Sequence, residues 1–264
     1  MKINQLRKAM APFLLTASAV AGAQLVDQAG VSGSPADVPF GGPVVLYDQT
    51  GQPPSGNGAP DQNFEAAFDA YDAIVADDFV VTDPNGWNIT QVSSVGTYSV
   101  AGPAAGVSIS FHADLGGSPD PTPVAGCSFP SVVPTTDTTG SFVIDLGAGC
   151  DLPAGTFWMA QQTDLDFAGG AGGQHFFSNT QTVTGAEGHW INPGDGFGSG
   201  CTTFQPAGSV CGVGGGGTTD FLFSVSGSVL APTPALPVPA ANWYGMALLL
   251  LGMGFFGRRF LKNN

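Results

Sequence analysis

Between Lys8 and Arg258 the chain has no lysine or arginine; its six bases are Lys2, Arg7, Lys8, Arg258, Arg259 and Lys262. This absence excludes electrostatic nucleic-acid binding, which needs cationic side chains to displace counterions from phosphates. All twenty acids fall between Asp27 and Asp220, so the net charge of -14 averages two basic tips with a middle of formal charge -20. Acids are not enriched in that interval. At roughly a tenth of its residues they match the acidic half of ordinary globular composition, so the bases alone are missing. A salt-adapted surface would be denser in acid. Disorder is excluded because 43% hydrophobic and 10% aromatic content supports a core.

Catalytic signatures are also missing. There is no Gly-x-Ser-x-Gly elbow and no His-Glu-x-x-His motif. The Gly212 to Gly217 run lacks the lysine of a phosphate cradle and reads as a loop. The three histidines are far apart. His112 lies on the polar phase of its strand and is expected to face solvent, while His175 and His189 flank an aromatic, Asn- and Gly-rich segment. The chain is read as a non-enzyme. A secreted hydrolase stays as an alternative, because a carboxylate pair is defined by separation in space. Calcium is possible without being indicated: Asp77-Asp78, Asp164 with Asp166, and Asp195 are acidic loop candidates, and none follows the twelve-residue calcium loop.

Long helical patterns are scarce. Only Gln62 to Asp72 has helical spacing, through Phe64, Ala67, Phe68 and Tyr71. Elsewhere the period is two. Val107, Ile109, Phe111 and Ala113 alternate with Ser108, Ser110 and His112; Phe142, Ile144 and Leu146 alternate with Ser141, Val143 and Asp145; Phe221, Phe223 and Val225 alternate with Leu222, Ser224 and Ser226. Such alternation predicts strands with one buried face. Further strands are expected at Val44–Asp48, Ile74–Thr82, Trp87–Val100, Thr156–Gln162 and His175–Val183. Gly-, Pro- and Asn-rich clusters separate them, and Asp114–Pro134 reads as a loop. About nine or ten strands at this spacing predict an all-β fold, an antiparallel β-sandwich that is jelly-roll-like.

Four cysteines in an exported chain are expected to be oxidised. Cys127–Cys150 and Cys201–Cys211 are favoured among the three pairings because each brackets one loop, and each closure stabilises by about 3 kcal/mol in the loop-entropy picture. Zinc is the rival reading, but no pair has the short spacing of a zinc knuckle.

The ends carry addresses. Residues 1–23 have a basic stretch, an apolar stretch and the small-residue site Ala21-Gly22-Ala23, the parts of a secretory signal cleaved after Ala23, or else after Ala21. A short amphipathic surface helix is the bland alternative. At the other end a Pro-rich spacer, residues 231–240, leads to Trp243 and Tyr244, an apolar run with four leucines, and then Arg258, Arg259 and Lys262. Aromatics suit the membrane interface, and the terminal bases suit the cytoplasmic side. Residues 241–257 as a helix cover about 25 Å at 1.5 Å per residue, the lower limit for a single C-terminal transmembrane helix.

These tail residues resemble the PEP-CTERM group of bacterial sorting signals. Pro237-Val238-Pro239 followed by Trp243 and Gly245 is closest to its IPTL-CTERM variants. Tyr244 interrupts their Trp-Gly pair, and neither a Pro-Glu-Pro nor an Ile-Pro-Thr-Leu string is present. The resemblance implies passage through the export machinery, retention in the inner membrane, and cleavage and transfer by an exosortase-type transpeptidase. The segment Trp190 to Cys201 resembles a stretch of uncharacterised secreted bacterial β-sandwich proteins and implies no activity.

The expected organisation is a signal peptide (1–23), a Gly/Pro-rich flank (24–60), a sandwich domain (61–230), the spacer (231–240) and the tail (241–264). The function expected from it is that of an exported, membrane-tethered and then sorted cell-surface or extracellular-matrix protein with a structural or adhesive role. A carbohydrate-binding module is the alternative, because Trp87, Trp158 and Trp190 offer faces for sugar rings and extracellular polysaccharide is a natural partner.

Overall fold

The computed structural model describes residues 43–168 and 173–232. The signal peptide with Ala21 and Ala23, the sorting residues Pro237, Val238, Pro239, Trp243, Gly245, Arg258 and Arg259, and the expected transmembrane segment lie outside the described residues. Among the described residues no helix is long and apolar enough to cross a membrane.

In chain order the strands are β1 (Val44–Asp48), β2 (Pro54–Pro60), β3 (Gln62–Asn63), β4 (Ile74–Val81), β5 (Trp87–Ser94), β6 (Gly96–Tyr98), β7 (Gly106–Asp114) and β8 (Pro119–Val132). They continue with β9 (Thr136–Thr138), β10 (Ser141–Leu152), β11 (Gly155–Asp164), β12 (His175–Thr180), β13 (His189–Ile191), β14 (Gln205–Pro206), β15 (Asp220–Phe221) and β16 (Phe223–Val229). One sheet runs β1-β16-β5-β10-β9 and a second β14-β13-β4-β11-β7-β8. All pairings are antiparallel except β3 against β11. A third, small sheet joins β15, β12, β2 and β6, which the two-sheet expectation did not include.

The core lies between the inner faces of the two large sheets. Val75, Phe79, Ile109, Phe111 and Met159 from one face meet Trp87, Ile89, Val92, Ile144, Phe223 and Val225 from the other. Phe79 sits at the centre, with ring centroids 6.4 Å from Trp87, 6.0 Å from Phe111 and 6.3 Å from Phe223. Full burial of each such side chain stabilises by about 1.5–3 kcal/mol, which is why the period-two pattern dictates the sheet faces.

Three expectations need correction. The sandwich begins before residue 61: β1 pairs with β16 and β2 with β12, inside the stretch read as a flank. Gln62–Asp72 is not an α-helix, because Gln62 and Asn63 pair with Thr163 and Asp164 and only Asp69–Tyr71 forms a 3₁₀ turn. The loop expected over Asp114–Pro134 is largely β8, whose Pro119, Pro121, Pro123 and Pro130 are tolerated because β8 is an edge strand with irregular register against β7.

Both predicted disulfides are present. Cys127–Cys150 ties edge strand β8 to β10 with a Cα separation of 5.1 Å, and Cys201–Cys211 closes the segment after β13 at 5.9 Å. With no free cysteine among the described residues, the zinc alternative loses its ligands.

Candidate functional site

Polar side chains gather in two internal groups and on the outer face of the second sheet, and a separate aromatic group opens outward.

The first setting is internal. Asp61, just after β2, places Oδ1 2.5 Å from His175 Nδ1, and its Oδ2 accepts from Gln161 Nε2 at 2.8 Å and Thr163 Oγ1 at 3.0 Å. Asp61 and His175 are both fully buried. Burial disfavours the imidazolium, but the Asp61 charge, its hydrogen bond and the Gly140 carbonyl outweigh this and hold the pKa of His175 above its ordinary value. The arrangement is that of a structural ion pair, since Nε2 is bonded to Gly140 O at 2.8 Å and has no free lone pair for a substrate. Phe142 stacks on the ring at 4.8 Å.

A second internal group surrounds Asp77. Its Oδ2 accepts from Gln49 Nε2 at 2.7 Å and the Phe221 amide at 2.6 Å. Burial, with the Asp220 charge beside it, pushes the Asp77 carboxyl well above the usual range. Asp220 is pushed up to about 7, by burial first, against amide bonds from Thr184 and Gly188. Asp78, on the opposite face of β4, is pushed up to about 6 by burial, with the Ala186 amide opposing and the Asp114 charge adding.

Asp78 belongs to the outer face of the second sheet, where β4, β11 and β7 align Asp78, Trp158 and His112 in register. His112 does occupy the polar phase, but it does not face solvent. It is 4% exposed, closed in by Phe204 with centroids 6.0 Å apart and bonded to Asp120 O at 2.7 Å and Ser110 Oγ at 2.8 Å. Burial holds the pKa values of His112 and His189 below the ordinary one. His189 packs edge-on against Trp158 at 4.7 Å, and Trp158 Nε1 donates to Asp114 at 2.9 Å.

The tryptophans are therefore unsuited to the stacking role. Trp87 is 4% exposed, and Trp158 and Trp190 are fully buried, with Trp190 Nε1 donating to Pro60 O. The carbohydrate platform expected from them is not at the surface.

The outward setting is aromatic, and sequence reasoning did not find it. Phe64, Phe68, Tyr71, Phe167, Gln174 and Phe197 line a basin of about 260 Å³. Tyr71, Phe167 and Phe197 remain 39%, 44% and 37% exposed. Tyr71 and Phe197 meet near-perpendicularly, at 5.2 Å and 84°, and other pairs meet at smaller angles, Phe68–Phe167 at 5.4 Å and 68° and Phe64–Phe167 at 6.3 Å and 57°.

Polar bonds fix the three segments that carry these rings. The Asp72 carboxylate accepts the Phe64 amide at 2.8 Å, while Glu65 accepts the amides of Phe167 and Ala168 at 2.7 and 2.9 Å. Asn192 clamps the third segment, donating to Ala70 O and Asp72 O at 2.7 and 2.8 Å and accepting the Phe197 amide at 3.1 Å. Gly194 and Gly196 lie flat on Ala70, where an added Cβ would come within 2.6 and 2.5 Å of its backbone. The Cys201–Cys211 bond closes the same segment.

All the calcium candidates but Asp166 have other partners. Asp164 accepts from Asn63 Nδ2 at 2.9 Å, Asp195 from the Gly200 amide at 2.8 Å, and Asp166 is exposed. Among the described residues no three His, Cys, Asp or Glu side chains converge as a metal site.

No protein-family model matches the chain, and no curated protein matches it. One similar solved structure holds the cysteine protease and lectin-like domains of Cwp84, a surface-layer-associated protein of Clostridium difficile, at 10% identity and a TM-score of 0.40. The alignment covers 59% of this chain and 32% of that one, so the chain spans about a third of that structure's length. A likeness of this degree establishes neither a shared fold nor a shared activity.

Proposed function

We propose that this is an exported cell-surface or extracellular-matrix protein with a structural or adhesive role. Residues 1–23 direct export, and residues 241–264 hold the chain in the inner membrane. An exosortase-type transpeptidase acting near Pro237-Val238-Pro239 and Trp243 then releases the domain or transfers it to extracellular polysaccharide. The reading assigns no catalytic step to the domain.

The observation that carries it is the closure of all four cysteines into Cys127–Cys150 and Cys201–Cys211. Structural disulfides persist where the environment is oxidising, outside the cytoplasm. The interval from Lys8 to Arg258 without a base supports the same reading, because positive charge next to a membrane segment is what retains chain on the inner side.

Thiol trapping of the protein in its producing cells tests this. Cells are quenched in acid, the protein is denatured, and free thiols are alkylated with a mass-tagged maleimide. No tag and recovery in the envelope or medium are expected. Four tagged thiols on protein recovered from the cytoplasm would overturn the proposal.

A further inference from the structure

The aromatic basin is costly to leave uncovered and is nevertheless held firmly. Isolated apolar side chains at a surface need no explanation, but a contiguous set in a concavity marks a binding site. Here the rings come from three separate segments; the Asp72 carboxylate braces the first internally, and the Glu65 carboxylate and the Asn192 amide fasten it to the other two. The site is formed in advance, so an occupant does not have to order it.

Charge selects the occupant. Glu65, Asp69, Asp72, Asp164, Asp166 and Asp195 belong to the segments that carry the rings or adjoin them, and the described residues contain no Lys or Arg. An anion entering the basin meets only like charge. A cation meets ring faces and a surrounding field of carboxylates. Tyr71 and Phe197 meet edge to face at 84°, and five aromatic rings line the one basin, so a cation within it has several π systems at hand. The volume of about 260 Å³ falls just below the range for drug-sized ligands. It suits a compact head group. With the Gln174 amide and the Tyr71 hydroxyl as its polar lining groups, the basin offers too few hydrogen bonds for a small, strongly hydrated ammonium and suits an alkylated one.

We propose that the basin lined by Phe64, Phe68, Tyr71, Phe167 and Phe197 binds a free, low-molecular-weight quaternary ammonium compound of the choline type. Each methyl group packs on a ring, and the delocalised positive charge is drawn to the ring faces, the cation–π attraction used by aromatic cages. Nothing in this inference depends on how the chain is exported or sorted.

Calorimetric titration of the full chain, solubilised in a detergent without a choline head group, tests it. The probes are choline and its uncharged isostere 3,3-dimethyl-1-butanol. Choline is expected to saturate one site, and the isostere to bind about tenfold more weakly, because it fills the same space without the charge. Phe197→Leu, which keeps apolar bulk at a partly exposed position, is expected to weaken choline about tenfold while lowering the unfolding temperature by only a few degrees, since it also gives up ring contacts with Tyr71 and Trp190. Asp69→Asn is expected to weaken choline by a smaller factor, and added salt to do the same. Equal affinity for choline and the isostere would overturn the proposal in favour of a plain apolar pocket. Absence of saturable choline binding, or binding of a lysine-rich polypeptide that choline does not displace, would overturn it as well.

Discussion

Asp61→Asn is the perturbation with the clearest physical signature. Asp61 has no solvent exposure, one oxygen 2.5 Å from His175 Nδ1, and the other taking donors from Gln161 and Thr163. An asparagine has one carbonyl oxygen for these donors and must turn an NH₂ group toward one side. Either the imidazolium or the Gln161 amide then faces a donor. Breaking a buried pair while its partner stays costs about 3–5 kcal/mol.

The pH dependence gives the sharper reading. The pKa of His175 is raised in the folded chain, so between its ordinary value and the raised one the folded state holds more protons than the unfolded state. The pair's contribution is therefore complete below about pH 6.5 and is lost as pH rises through the folded value, by at most about 1.4 kcal/mol per unit. Urea unfolding of the two proteins across this range measures it. Taking the difference removes the shared titration of Asp77, Asp78 and Asp220. The variant is expected to be much less stable at mildly acidic pH, with the gap narrowing as pH rises. A variant within about 1 kcal/mol of the parent at every pH would refute the assignment of Asp61 and His175 as an ion pair.

Other outcomes follow from the same structure. Gly96→Ala brings a Cβ to 2.5 Å from His175 Nε2 and 2.6 Å from Gly140 O, and a loss of about 1–3 kcal/mol is expected by chemical denaturation. Phe79→Ala empties the centre of the sandwich and is expected to cost about 3–5 kcal/mol in the same assay. Replacing both cysteines of either disulfide by alanine is expected to cost about 3 kcal/mol. Loss of Cys201–Cys211 alone is also expected to weaken ligand binding in the basin, since that bond closes the segment holding Phe197. Asp220, pushed up to about 7, binds its proton more readily when folded, so its effect on stability is unfavourable above the ordinary carboxylate range and complete once pH passes 7. Asp220→Asn is expected to flatten that fall when unfolding temperatures at mildly acidic and mildly alkaline pH are compared.

The legible parts of the fold were those written as local alternation. Val107, Ile109 and Phe111 point inward because a strand has period two, and β7 follows from these residues alone. The cysteine pairs were legible because each spans a short separation, 23 and 10 residues. Features that depend on distant partners were not. Phe64, Ala67, Phe68 and Tyr71 have helical spacing, yet pairing of Gln62 with Thr163 and the Asn192 clamp on Ala70 and Asp72 outweigh that preference. The proline-rich β8 read as a loop because proline cannot donate to a ladder, and it forms a strand because its ladder has a partner on one side only. His112 kept its predicted phase and lost its exposure to Phe204, ninety-two residues further along. The basin was hidden for the same reason: Phe167 and Phe197 meet Tyr71 only after folding.

The central claim is that the chain is a cargo domain carried between two removable addresses. The intact mass of the protein isolated from the outer surface of its producing cells tests this most directly. The account predicts a chain that begins after Ala21 or Ala23, lacks Trp243 to Asn264, and is four hydrogens lighter than its reduced form, from two disulfides. A mass matching all 264 residues with four free thiols would contradict it.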